Sequence, residues 1–115
     1  MEEVTIFDKI VGGEIPAKVV HDDEHVLAFH DINPQAPIHV LVIPKKKTKS
    51  VAQFKDLTTE EVGHFMQGVS QVADKLGLAD DGFRVVFNTG RDGQQTVDYV
   101  HAHILGGRRM QWPPG

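Results

Sequence analysis

The sequence predicts an α+β fold of two helices and five strands. Three observations carry this. Five short segments are rich in β-branched and apolar residues and are bounded by turn residues. One longer segment, residues 58–76, repeats apolar residues at three- and four-residue spacing, which is the period of a helix. The polar links between strands one and two and between strands four and five are short, which favours antiparallel hairpins.

Residues 5–11 read as a short helix. Thr5 can cap it, Asp8 three residues on completes a capping box, and Gly12-Gly13 stops it. Ile6, Phe7 and Ile10 form its apolar side. Pro16 then forces an extended chain. KVVHD (18–22) and HVLAFHD (25–31) read as strands joined by a tight polar link. NPQAP (33–37) is a loop by its two prolines. IHVLVIP (38–44) is a near-continuous apolar run, hence a central strand, ended by Pro44. KKKTK (45–49) reads as a solvated basic turn. The long helix is capped by Thr58, with Glu61 completing its box, and is ended by Gly77. FRVVFN (83–88) and VDYVHAHIL (97–105) are the last strands, separated by the polar turn TGRDGQQ (89–95). The tail RRMQWPPG shows no regular pattern.

The 115 residues fit one domain, spanning 1–115. The net charge of -4 argues against a nucleic-acid partner bound through bulk electrostatics. The chain has no cysteine, which excludes disulfides, thiolate-bound zinc and a thiol nucleophile. No run approaches the ~20 apolar residues of a membrane span, and the acidic opening MEEVTIFDKI lacks the pattern of a signal peptide. The expectation is a soluble intracellular chain with no membrane partner.

The chemistry concentrates in DYVHAHILGG (98–107). On a strand, alternation puts Tyr99, His101, His103 and Leu105 on one face and Val100, Ala102 and Ile104 on the other. His39 adds a third imidazole from the central strand. The turn before this stretch, residues 88–96, can offer backbone N–H groups to an anion but has no P-loop lysine. Three readings stay open on these residues alone. His39, His101 and His103 could bind zinc as a three-ligand catalytic set. One histidine could attack phosphorus while the others steer phosphate oxygens, since an imidazole with a pKa near ~6.5 is a nucleophile at neutral pH. Or all three could be satisfied core residues. His21, His25, His30 and His64 read as surface or structural, and Asp31, at a strand end, could bond sugar hydroxyls.

TIFDKIVGGEIPAKVV, LAFHDINPQAPIHVLVIPKK, FRVVFNTGRDGQQTV and VHAHILGGRRMQWPPG together resemble the histidine triad (HIT) family, specifically its Hint branch of adenosine phosphoramidases. The resemblance covers nearly the whole chain. It implies a five-stranded antiparallel sheet carrying the helices, and a homodimer whose two sheets join, with helix 58–76 at the contact. It implies that Ile6, Phe7 and Ile15 line a purine pocket and that Asp31 bonds the ribose. It further implies that Asn88, Gln95 and Thr96 hold the α-phosphate or leaving group, and that Trp112 reaches toward the partner's site. His101 matches the nucleophile, His103 the last triad histidine and His39 the separate upstream one.

One residue departs from that pattern. Tyr99 stands where the family has the first histidine, a position that supports the site and does not attack. A phenol can still donate and accept a hydrogen bond. The expected activity is hydrolysis of a purine nucleoside 5′-phosphoramidate to AMP and an amine through a nucleotidyl-His101 intermediate. His39, His103, Thr96 and backbone N–H groups near Gln95 and Thr96 would stabilise the developing charge, and no metal or other cofactor would be needed. A binding or protein-interaction module without turnover, and a zinc-dependent hydrolase using the same histidines, are the alternatives. The expected location is cytoplasmic, with a nuclear pool open to so small a chain.

Overall fold

A computed structural model describes residues 3–115. The element order is α1 (Ile6–Val11), β1 (Val19–Asp22), β2 (Val26–His30), β3 (Ile38–Pro44), a 3-10 helix (Val51–Asp56), α2 (Thr59–Lys75), β4 (Arg84–Val86) and β5 (Ala102–Gly106). The strands form one sheet in the order β1-β2-β3-β5-β4, antiparallel throughout.

The strand period of two sorts the sheet into two faces. Val26, Ala28, Val40, Val42, Ala102 and Ile104 point to one side. There they meet Phe65, Val69, Val72 and Ala73 of α2 in a single buried cluster. Fully burying a side chain such as Val72 is worth about 1.5–3 kcal/mol, so this stripe holds the helix to the sheet. Gly68 permits the approach, because a Cβ there would meet Val26 Cγ1 at 2.8 Å. Leu27, Phe29, Leu41 and Ile43 point to the other side, where Phe7 of α1 and Tyr99 complete a second cluster. Both helices start as their sequences require: Thr5 with Asp8, and Thr58 with Glu61, form reciprocal capping boxes.

Four expectations need correction. The last strand covers Ala102–Gly106, not 97–105. Its ladder with β3 reaches Val42 opposite Ala102 and goes no further. Pro44, two residues on, has no N–H to continue it. The strand expected over 83–88 is likewise only Arg84–Val86. Residues 51–56, where no element was expected, form the 3-10 helix, capped by the Ser50 side chain accepting from the Ala52 N–H. Its Phe54 packs edge-on against Phe65 and Phe87.

Nor is the loop 45–49 a free basic turn. Lys45 pairs with Asp22 at 2.5 Å, Lys46 with Glu61, and Lys47 with Asp8 at 2.9 Å. Thr48 and Ser50 are buried. Among the described residues, no helix is long and apolar enough to cross a membrane.

Candidate active site

On the α1 face of the sheet lies a cavity of about 1040 Å³. Its apolar wall includes Ile6, Phe7 and Ile10 of α1, Ile15 after it, Phe29 of β2 and Ile32 beyond β2. Its polar wall is Asp31, His39, His101, His103 and Thr96, with Lys18 and His30 also lining it. The cavity thus brings together eight of the expected site residues: Ile6, Phe7, Ile15, Asp31, His39, Thr96, His101 and His103.

The histidines arrive from different local structures. His39 is the second residue of β3 and lies opposite Leu105, while His103 lies opposite Leu41. Because 39 and 41 share a face, so do His39 and His103. His101 precedes β5. It is held by a bond from its Nδ1 to the Tyr99 carbonyl, 2.7 Å away and buried. A carbonyl only accepts, so Nδ1 carries the proton and Nε2 keeps a bare lone pair.

The same logic fixes the other two rings. The Gln35 backbone N–H donates to His39 Nδ1 at 3.0 Å, so that nitrogen is bare and the His39 proton sits on Nε2. His39 Nε2 is 2.9 Å from His103 Nδ1 and 3.4 Å from Asp31 Oδ2. Nδ1 of His103 therefore accepts, and its proton lies on Nε2. That Nε2 is buried with no partner among the described residues. An unpaired buried donor is costly in the free chain and calls for a functional reason.

Burial favours the uncharged form of all three rings. Burial pushes His101 and His39 below the ordinary imidazole value, although Asp31 opposes it in both. Burial, then the adjacent His101 and His39, push His103 down to about 4. The phenol of Tyr99 goes the other way, pushed up to about 12 by burial and by Asp8. It is 2% exposed, and its hydroxyl donates to the Pro44 carbonyl at 2.5 Å. Phe7 ties these parts together, lying edge-on to Phe29, Tyr99 and His101 with centroids 5.6, 6.1 and 5.0 Å away.

Other expected residues fall outside the cavity wall. Asn88 is half-buried beyond β4. Gln95 is bound to its own loop: its side-chain N–H groups donate to the carbonyls of Lys49 (2.7 Å) and Val97 (2.9 Å), and its oxygen accepts from Gly90 N–H (3.1 Å). The Gln95 backbone N–H, expected to face a phosphate, donates instead to the Gly90 carbonyl. Trp112 is 81% exposed, on a tail held by Arg84 donating to the Gln111 carbonyl at 2.9 Å.

Of the other histidines, His21 bonds Asp23 at 2.7 Å, and His25 stacks on His64 at 3.9 Å. His30, expected on the surface, is exposed yet lines the cavity. Ile10, Lys18, Phe29 and Ile32 line it without having been singled out for it. Ile10 and Phe29 were visible only as apolar positions of a helix and a strand, which is also how core residues look.

With this geometry in place, comparison places the chain among known proteins. The HIT domain model matches residues 12–110, and the chain belongs to that family. It is similar to a maize protein called "14 kDa zinc-binding protein", 51% identical over 113 residues, covering 96% of this chain and 88% of the relative. A HIT family hydrolase from Legionella pneumophila superposes with a TM-score of 0.90 at 45% identity, covering 96% of this chain and 98% of that one. A histidine triad nucleotide-binding protein from Candida albicans superposes with a TM-score of 0.79 at 29% identity, covering 96% and 83%. The five-stranded antiparallel sheet with its helices is thus the HIT fold, shared with a hydrolase and with a nucleotide-binding protein.

Asp31, His39 and His103 bring three ligand atoms within 4.8 Å of one another. His101 is not of that group. Coordination through His39 Nε2 needs that nitrogen bare, which moves the proton to Nδ1, directly against the Gln35 N–H. Two donors would then face each other. The cluster as built does not fit a metal; it fits a chain of hydrogen bonds.

Proposed function

We propose that this chain is a purine nucleoside phosphoramidase, hydrolysing adenosine 5′-phosphoramidates to AMP and an amine through a nucleotidyl-histidine intermediate. The observation that carries this reading is the state of His101: Nδ1–H is engaged by the Tyr99 carbonyl, burial favours the neutral ring, and the residue lines a cavity with a long apolar wall. Base and ribose lie along Ile6, Phe7 and Ile15, with Asp31 accepting from the ribose hydroxyls.

The His101 Nε2 lone pair attacks the α-phosphorus. The P–N bond to the amine breaks, and the amine leaves with the electron pair and takes up a proton. Water then attacks phosphorus and gives up a proton, which balances the one the amine took; the P–Nε2 bond breaks, AMP departs and the lone pair returns to His101. Two easier displacements replace one difficult one. The unpartnered His103 Nε2–H, backed by His39, and the Thr96 hydroxyl donate to the non-bridging oxygens. Losing one such donor typically costs ~10²–10³ in rate.

The test is AMP release from adenosine 5′-phosphoramidate by the parent and by His101→Ala, each with and without a chelator. Turnover by the parent that a chelator leaves unchanged and that His101→Ala abolishes is the expected result. Turnover lost to the chelator revives the zinc reading. AMP binding by the parent with no release favours a nucleotide-binding module, the reading that Tyr99 in place of an imidazole supports.

We also propose a homodimer. Its support is the apolar surface that α2 leaves open, where Met66 is 40% exposed beside a groove lined by Phe54 and Val62.

A further inference from the structure

The segment that carries the nucleophile runs outside the sheet ladder, so something other than strand pairing must hold it. A seam to the end of β3 and the loop after it does. The Tyr99 hydroxyl donates to the Pro44 carbonyl at 2.5 Å, the Val100 N–H to the Thr48 carbonyl at 2.7 Å, and the Gln95 side chain to the Lys49 carbonyl at 2.7 Å. Only the first belongs to the residue whose own carbonyl holds His101 Nδ1.

We propose that Tyr99 is a positioning residue for His101: its hydroxyl, anchored on the Pro44 carbonyl, fixes the Tyr99 carbonyl, and that carbonyl sets the His101 tautomer. The proposal rests on the reading of His101 as nucleophile. The ring also packs. Tyr99 lies edge-on to Phe7, which lies edge-on to His101, so packing alone could hold the segment. What separates the two roles is the hydroxyl. The phenol stays protonated across the working range, because burial drives its ionisation upward. It is therefore a permanent donor, where an imidazole at this position would change its charge near neutrality.

The experiment compares the parent with Tyr99→Phe and Tyr99→His. One readout is the ¹⁵N spectrum of the His101 ring in the free protein, which reports the tautomer. The other is kcat and KM for adenosine 5′-phosphoramidate. The parent is expected wholly in the Nδ1–H form. Tyr99→Phe keeps the ring but is expected to show mixed tautomers and a kcat about tenfold lower, the size of one lost buried hydrogen bond. KM should stay within about twofold, since the ground-state contacts remain. Tyr99→His, which restores a donor, is expected to recover both the tautomer and kcat at neutral pH.

A Tyr99→Phe protein that keeps the Nδ1–H form, or that turns over at the parental kcat, overturns the proposal and leaves packing as the role of the ring. A parent without turnover defeats the phosphoramidase reading, while the tautomer readout still decides this one. If Tyr99→Phe fails to fold, slowly exchanging Tyr99 hydroxyl and His101 Nδ1 protons in the parent support the anchor. Rapid exchange of either overturns it.

Discussion

His103 is kept uncharged down to about pH 4, against an ordinary value of 6.5. Between those two values the unfolded chain binds a proton that the folded chain refuses. Stability is therefore fully present above about pH 6.5 and is lost as the pH falls toward 4. His39 and His101 shift in the same direction and add to the effect. The melting temperature should fall through this window, and His103→Asn should fall less steeply. A variant with the parental slope would show that the burden lies on other groups. Residues of this kind were half legible in the sequence. His39, His101 and His103 stood out as imidazoles in apolar strands. The protons they carry did not, because those are set by the Gln35 N–H and the Tyr99 carbonyl, and every residue has a backbone N–H or carbonyl to offer.

At the scale of the element, α2 was legible almost to the residue, because its caps and its period are both written in side chains. The last strand was not. VDYVHAHIL alternates well enough to pair throughout, but pairing needs a neighbour, and Pro44 removes it at the Tyr99 end. The 3-10 helix was not legible: α1 has the same length, but Gly12-Gly13 marks its end, whereas residues 51–56 run into Leu57-Thr58 with no such stop. The contact of α2 with β2 gives a sharp prediction. Gly68→Ala raises helix propensity by about 1 kcal/mol. The new methyl, however, would lie 2.8 Å from Val26 Cγ1, and overpacking of this kind costs about 1–3 kcal/mol. Urea unfolding should find Gly68→Ala less stable than the parent, with much of the loss removed in a Val26→Ala background. A Gly68→Ala protein at least as stable as the parent would mean the sheet gives way easily.

For the whole molecule, the two faces of one sheet divide the labour. The α2 face is dry core, and the α1 face keeps a cavity. Alternation in the last strand put Ala102 and Ile104 on the face under the long helix and His101 and His103 on the other, but it could not show that the second face keeps a cavity. That depends on a six-residue helix being too short to cover the sheet. The proposed homodimer belongs to this scale too. Light scattering should give twice the mass of one chain at micromolar concentration, and Met66→Glu should lower it toward the single chain. A parent that scatters as one chain at that concentration would leave the site to be built from a single subunit.

A backbone N–H cannot be turned round. Gln35 therefore orders the protons of His39 and His103 in single file, each facing away from the loop toward the far end of the pair. The rings cannot relay in both directions. A proton given out at His103 Nε2 is not replaced through His39 Nδ1 while the Gln35 bond stands. The pair is therefore built to lend the His103 Nε2–H as a hydrogen bond and to keep the proton, which is the part given to it in the proposed reaction.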